Sequence, residues 1–277
     1  MPELPEVESG RRALLTWLPG RIDEVRAFDP AVVRSKLSTL PSDAVADGHV
    51  VAQGLFEGAE TVRILRHGKR LGWVLKRGRK QVAVMMHFGM TGRLLRRTAA
   101  DLPTAGVRLA WRTGETWVWF DDPRRFGCIA PVPVANLDAR LREGHGPDAL
   151  DAPLDGAGLA RQVTGRRAVK DALMDQAVLA GLGNIHAAEV LWRAKLHPEK
   201  RAEDVSLAAW KRLAGEIPKQ LAAFVEEPDT EVRYVNVGGD NPFEVYGREG
   251  EPCPRCKAPI TRLAKSRSTY FCPGCQR

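Results

Sequence analysis

A proline at position two, two glutamates close behind it and four cysteines at the far end are the residues whose types and spacing suit chemistry in this chain. It opens Met1-Pro2-Glu3-Leu4-Pro5-Glu6. Once Met1 is removed, Pro2 presents a free secondary amine, a nucleophile able to attack a sugar C1′ or a carbonyl and form an iminium. An α-amino group titrates near pH ~7.7–8.0 and is partly unprotonated at neutral pH, whereas a lysine at ~10.4 needs a large shift to match it. A small second residue suits removal of Met1, and that removal is expected here. Glu3, beside the nucleophile, has the chemistry to protonate a departing base or a ring oxygen. Glu3 and Glu6 also read as ordinary acidic residues complementing the positive end of a helix dipole, and both readings stand at this point.

At the other end, Cys253-Pro254-Arg255-Cys256 is followed fifteen residues later by Cys272-Pro273-Gly274-Cys275. The C-x2-C-x15-C-x2-C spacing matches one structural zinc held by four thiolates, each CxxC supplying two ligands from a tight turn. A pair of disulfides is the weaker alternative, because no secretory segment and no cysteine framework elsewhere accompany them. Cys128 is left over and reads as a small core residue. The segment between the pairs carries Lys257, Arg262, Lys265 and Arg267 with no acidic residue, a basic hairpin suited to phosphate. Lys plus Arg outnumber Asp plus Glu by 42 to 34, giving +8, which favours nucleic acid or another anionic surface. No apolar run approaches the ~18–20 residues of a membrane span. A reducing cytosol is the expected compartment.

The elements that must hold these residues follow from periodicity. Pro5 suits the first turn of a helix, and Val7, Leu14, Leu15 and Leu18 fall on one face of it. From 20 to about 135, short segments rich in Val and Trp and punctuated by Gly (71–77, 81–89, 107–113, 116–122) read as strands of a sandwich or barrel. From about 146 the spacing is helical over 158–165, 168–196 and 206–227, with Pro218 expected to kink or break the last helix. Residues 228–250, dense in Gly, Pro, Asp and Asn, read as irregular. Gly181-Leu182-Gly183-Asn184 sits in a short break between helices, where glycines permit close approach and a helix N-terminus offers N–H groups to an anion. His87-Phe88-Gly89-Met90-Thr91-Gly92 and Asp122-Pro123-Arg124-Arg125-Phe126-Gly127 both end strands. Met90, Arg124 and Phe126 suit wedges filling the gap left by an extruded nucleotide; Met90 and Phe126 read equally as core.

Five motifs and the cysteine hairpin lie in one order: PELPEVE, RHGKRL, HFGMTG, DPRRFG and GLGNIHAAE. Together they resemble the formamidopyrimidine-DNA glycosylase family, which includes endonuclease VIII, over almost the whole chain. PELPE rather than PEGPE favours the formamidopyrimidine branch. The resemblance implies an α+β fold: an N-terminal helix with a β-sandwich domain (1–140), a helix–two-turn–helix DNA-binding domain (141–235) and a zinc-finger β-hairpin (236–277). It implies a bifunctional glycosylase and abasic-site lyase of base excision repair that releases oxidised purines and nicks the strand by β,δ-elimination. Pro2 then corresponds to the Schiff-base nucleophile, Glu3 to the acid and Glu6 to a supporting carboxylate. Lys69 corresponds to a phosphate-contacting lysine assisting β-elimination, and Arg267 to the finger arginine assisting δ-elimination. Asn184 corresponds to a phosphate ligand and Met90, Arg124 and Phe126 to the void-filling trio. His87, Arg125 and, more loosely, Arg166 join the expected DNA contacts. The implied partner is double-stranded DNA carrying damaged bases or abasic sites, met by a monomer in a bacterial-type, nucleoid-associated cytoplasmic setting, with no membrane.

The chain departs from the family pattern twice. Thr104-Ala105-Gly106 stands where a His-Asp-His stretch is usual, and 226–247 does not carry the usual lesion-capping pattern. A paralogue acting on bulky, alkylated or crosslinked bases therefore remains open, as does a non-catalytic damage binder using the same wedge and finger. A generic zinc-ribbon binder explains neither PELPEVE nor Lys69.

Overall fold

Alternation along the Val- and Trp-rich segments decides which sheet face each residue joins. This computed structural model describes residues 2–163, 165–232, 241–264 and 267–277. Met1, on which the processing expectation falls, Lys265 of the basic hairpin and 233–240 of the atypical loop lie outside the described residues. The chain divides into two units, Met1–Glu143 with Val225–Tyr234, and Gly144–Phe224 with Val235–Arg277.

In the first unit α1 (Leu4–Trp17), β1 (Glu24–Ala27) and α2 (Gly48–Phe56) precede seven strands and a short helix. These are β2 (Glu60–His67), β3 (Arg70–Arg77), β4 (Lys80–His87), β5 (Arg93–Arg97), β6 (Val107–Thr113), β7 (Thr116–Asp121), β8 (Cys128–Val132) and α3 (Leu137–Arg142). They form two four-stranded antiparallel sheets, ordered β2-β3-β4-β8 and β1-β6-β7-β5. Leu71, Trp73 and Leu75 of β3, with Val84 and Met86 of β4, meet Leu109, Trp111, Val118 and Phe120 of the other sheet in one core. Trp73 and Trp111 lie 5.5 Å apart across it, with Phe56 of α2 edge-on to both. The alternate residues Val74, Ala83 and Met85 face outward beneath Leu137 and Leu141 of α3. α1 packs along the edge strands β2 and β5, and α2 against β1.

Three expectations need correction here. Leu15 is 40% exposed, so the apolar stripe of α1 runs through Val7, Ala13, Leu14, Trp17 and Leu18 instead. The stretch 20–135 also contains α2, whose two glycines and two valines give it low intrinsic helix propensity; burial of Ala52 and Phe56 holds it in place. Part of the region read as irregular extends a sheet: Arg96 N–H donates to Thr230 O at 2.7 Å and Val232 N–H to Leu94 O at 3.0 Å, along edge strand β5.

The second unit holds α4 (Gly156–Gln162), α5 (Val169–Met174), α6 (Asn184–Arg193), α7 (Leu207–Ala222) and a hairpin of β9 (Thr261–Leu263) and β10 (Thr269–Phe271). α7 is not broken at Pro218. Proline removes one hydrogen bond, and the buried Leu213, Ile217 and Leu221 fix the helix on either side of it. No helix among the described residues is long and apolar enough to cross a membrane.

Candidate active site and metal centre

Pro2 and Glu3 immediately precede α1 and are buried with Glu6. The Glu3 N–H donates to the Glu6 carboxylate at 2.9 Å, half of a reciprocal capping box that fixes the entry of the chain into the helix. Burial, reinforced by the negative charge of Glu3, pushes the Glu6 carboxyl up to about 7. Two residues on, Glu8 accepts from Arg11 (2.7 Å), Arg12 (3.1 Å) and Arg66 (3.0 Å). Burial opposes its ionisation, but these guanidinium groups outweigh burial and hold its carboxyl down at about 2.

Strand pairing places the remaining first-unit motifs at one end of one sheet. His67, Arg70, His87 and Cys128 are successive partners across β2, β3, β4 and β8. The turn between His67 and Arg70 is Gly68-Lys69, with Gly68 at φ 56°, so only two residues reverse the chain and Lys69 sits at the tip. HFGMTG leaves the same row after His87, and DPRRFG enters it just before Cys128. α1 runs toward that end as well: Arg11 reaches Ile64 O (3.5 Å), whereas Glu8, nearer the helix start, pairs with Arg66. Pro2, Glu3, Lys69, Met90 and the Arg124–Phe126 loop thus lie toward the same end of the sandwich.

Within this cluster Met90 is 38% exposed, so the core reading does not hold for it. Arg124 is exposed and lies over the half-buried Phe126 ring at 5.1 Å. Arg125 adopts the left-handed φ of 58° and pairs with Asp29 at 3.6 Å. His87 is held neutral: burial first, then the charges of Arg70 and Lys69, push it down to about 4. Its Nδ1 accepts from Gly89 N–H at 3.1 Å, bracing the loop that carries Met90. The Thr104-Ala105-Gly106 turn is short and local, with Gly106 O accepting from Asp122 N–H at 2.8 Å.

In the second unit, α5 and α6 are joined through two tight turns knotted by Gln176. Its amide donates to Met174 O and Leu182 O and accepts from Gly181 N–H, each at 2.9 Å. Asn184 opens α6. Its amide donates to Ser268 O (3.0 Å) and Tyr246 Oη (3.4 Å), and its Oδ1 accepts from Lys170 Nζ (2.6 Å). Lys170, only 2% exposed, also donates to Thr269 Oγ1 (2.7 Å) and Ser268 O (3.2 Å), tying α5 to the start of β10. Arg267, one residue before Ser268, is exposed. Arg166 is exposed beside Glu203 at 3.7 Å.

Sequence reading missed Lys170 and Glu189. Glu189 is buried on α6 and accepts from the N–H groups of Glu244, Val245 and Tyr246 at 2.9–3.0 Å. The available signal was a charged residue on the apolar face of a helix, which demands a partner.

The four finger cysteines present Sγ atoms within 4.8 Å of one another. A tetrahedral zinc with Zn–S near ~2.3 Å needs sulfurs about 3.8 Å apart. Cys253–Cys275 at 3.9 Å fits that requirement, and Cys256–Cys272 at 3.3 Å is slightly closer than it. Trp192 Nε1–H donates to Cys253 Sγ at 3.4 Å, and Arg255 stacks on the Trp192 ring at 4.1 Å, so the finger is fastened to α6. These cysteines form the site of one structural zinc. Cys128, outside it, is fully buried as expected.

Comparison with known proteins agrees with this arrangement. Three family models match: the formamidopyrimidine-DNA glycosylase N-terminal domain (1–129), its H2TH domain (145–235), and the zinc finger found in FPG and IleRS (250–277). The formamidopyrimidine-DNA glycosylase of Acidothermus cellulolyticus is 37% identical over all of this chain and 97% of that protein. The one from Halorhodospira halophila is 38% identical over the full length of both. Among solved structures, Lactococcus lactis Fpg bound to DNA containing N7-benzyl-Fapy-dG superposes with a TM-score of 0.83 at 26% identity, covering both chains completely. The same protein non-covalently bound to DNA with an abasic site gives 0.81 at 27%, again with complete coverage.

The N-terminal domain, H2TH element and finger together define a DNA glycosylase of base excision repair. The chain belongs to the formamidopyrimidine-DNA glycosylase family, and it is an enzyme with that family's glycosylase and abasic-site lyase activity.

Proposed function

We propose that the chain excises oxidised purines, 8-oxoguanine and formamidopyrimidine, from double-stranded DNA through a Schiff base on Pro2, and then nicks the strand by β,δ-elimination. The observation carrying this reading is the placement of Pro2, Glu3, Lys69 and the two wedge loops toward one end of the sandwich. A base inside a duplex is out of reach, so the nucleotide is first everted, with Met90, Arg124 and Phe126 taking its place. The Pro2 nitrogen attacks C1′, and the base leaves with a proton from Glu3 while Glu6 supports the helix start. The partial positive charge at the N-terminus of α1 disfavours the protonated, inert amine. Opening of the sugar ring gives an iminium that acidifies C2′–H. Loss of that proton expels the 3′ phosphate, assisted by Lys69, and a second elimination releases the 5′ phosphate, assisted by Arg267. Arg125 and Arg166 hold backbone phosphates, Asn184 contributes through its main chain at the start of α6, and His87 acts as a neutral group. Zinc folds the finger and takes no part in these steps. The three modules at 1–140, 141–235 and 236–277 divide this work, and the protein acts as a monomer on the nucleoid in the cytoplasm.

Borohydride trapping on abasic duplex DNA tests the nucleophile. Wild type with Met1 removed, verified by intact mass, is expected to trap, and Pro2→Gly to lose trapping and scission together. Undiminished trapping by the variant refutes the assignment.

A second reading, excision of bulky or alkylated bases, is favoured by the unusual 226–247 segment and by the neighbour crystallised with N7-benzyl-Fapy-dG DNA. Side-by-side excision from 8-oxoguanine, formamidopyrimidine and alkylated duplexes separates the two. Inactivity on both oxidised purines removes the first.

A further inference from the structure

The two loops read as wedges are fastened to each other by one carboxylate. Asp122 has no exposed surface. Its Oδ1 accepts from the Thr91 hydroxyl of HFGMTG, and its Oδ2 accepts from Gly127 N–H at 2.6 Å and faces the Arg108 guanidinium at 3.6 Å. Arg108, 2% exposed, donates to Gly127 O at 2.6 Å and to Asp29 at 3.0 Å. Arg34, equally buried, donates to Arg125 O at 3.1 Å. These bonds hold Arg125 in a left-handed conformation that a residue with a Cβ disfavours. Backbone packing adds to the bonds, since a Cβ on Gly89 would lie 2.4 Å from Gly127 N.

We propose that Asp122 is a positioning residue which, with Thr91, Arg108 and Arg34, locks the Met90 loop to the Phe126 loop as one preset wedge. The proposal rests on the reading of Met90, Arg124 and Phe126 as residues that replace an everted nucleotide. Asp122, Arg108 and Arg34 are too buried to meet a phosphate, so their contribution is geometric. Two loops that must each be ordered on DNA lose conformational freedom at that moment, whereas a pre-locked pair has already lost it. The brace therefore acts on eversion and not on attack at C1′.

The test compares nicking of an abasic site in duplex DNA, which requires eversion, with nicking of the same site in single-stranded DNA, which does not. Thr91→Val deletes only the bridging hydroxyl. It is expected to slow duplex nicking about tenfold and to leave single-strand nicking within about twofold, with Asp122→Asn losing more on the duplex. Thr91→Ser, which keeps the hydroxyl, is expected to restore the duplex rate. Equal losses on both substrates, or no loss on the duplex, overturn the proposal. Should Asp122→Asn not fold, the Thr91 pair still decides. Met90→Ala with Phe126→Ala serves as the reference: no duplex-specific loss there refutes the wedge, and the brace with it. A duplex-specific loss there, without one in Thr91→Val, refutes the brace alone.

Discussion

Glu6 caps a helix from a buried place beside another carboxylate, Glu3. Its folded value near 7 exceeds the ordinary 4.5, so the folded chain binds a proton that the unfolded chain has released between those two pH values. Stability therefore falls as pH rises from 4.5 toward 7. The full difference, reached above pH 7, is about 3 kcal/mol. Glu6→Gln keeps an oxygen for the Glu3 N–H and removes the charge, so its melting temperature is expected to lose that contribution to the decline between pH 5 and 8 expected of wild type. Parallel melting curves across that range would contradict the assignment. The helix start formed by Pro2, Glu3 and Glu6 was legible in the sequence because its capping is local to nine residues. Lys170 was not, because its partners Asn184, Ser268 and Thr269 lie 14 to 99 residues away. Pattern alone marks a lysine as solvated.

At the scale of elements, the finger is held to the helices by buried polar bonds as well as by its metal. Lys170 satisfies acceptors on α6 and at the start of β10, and Glu189 gathers three N–H groups from 244–246. Lys170→Met leaves those acceptors buried and unmet, an expected cost of about 1–3 kcal/mol in denaturant unfolding. It is also expected to weaken DNA binding through Asn184 and Arg267. Undisturbed unfolding would show that water replaces the amine without penalty. Zinc removal is expected to act more strongly: Cys253→Ser should release the metal and abolish DNA binding, since small metal modules fold with their ion. Tight binding by metal-free protein would refute this. Strands β3, β4, β6 and β7 were readable because each is a short run rich in Val and Trp between Gly-containing turns. α2 was not, because its glycines and valines oppose a helix locally and only burial against β1 overrides them. Nor was the pairing of 230–232 with β5, which joins residues far apart in sequence and leaves no periodic trace in so short a segment.

For the molecule as a whole, the question is how much of its +8 charge meets DNA. Many of its arginines are already spoken for: Arg11, Arg12 and Arg66 surround Glu8, Arg93 joins Asp121 and Glu231, and Arg112 joins Asp23 and Glu24. The net excess is therefore a poor guide to phosphate contacts. The cations proposed above to meet phosphate number four: Lys69, Arg125, Arg166 and Arg267. If each neutralises one phosphate, the logarithm of the association constant should fall with the logarithm of salt at a slope of about −4. Arg267→Ala and Arg166→Ala should each flatten that slope by about one, while Arg93→Ala, whose guanidinium serves internal carboxylates, should leave it unchanged. Fluorescence anisotropy on an abasic-analogue duplex at several salt concentrations measures all three. A slope near zero, or one equally altered by Arg93→Ala, would mean that these four cations are not the ones facing the backbone.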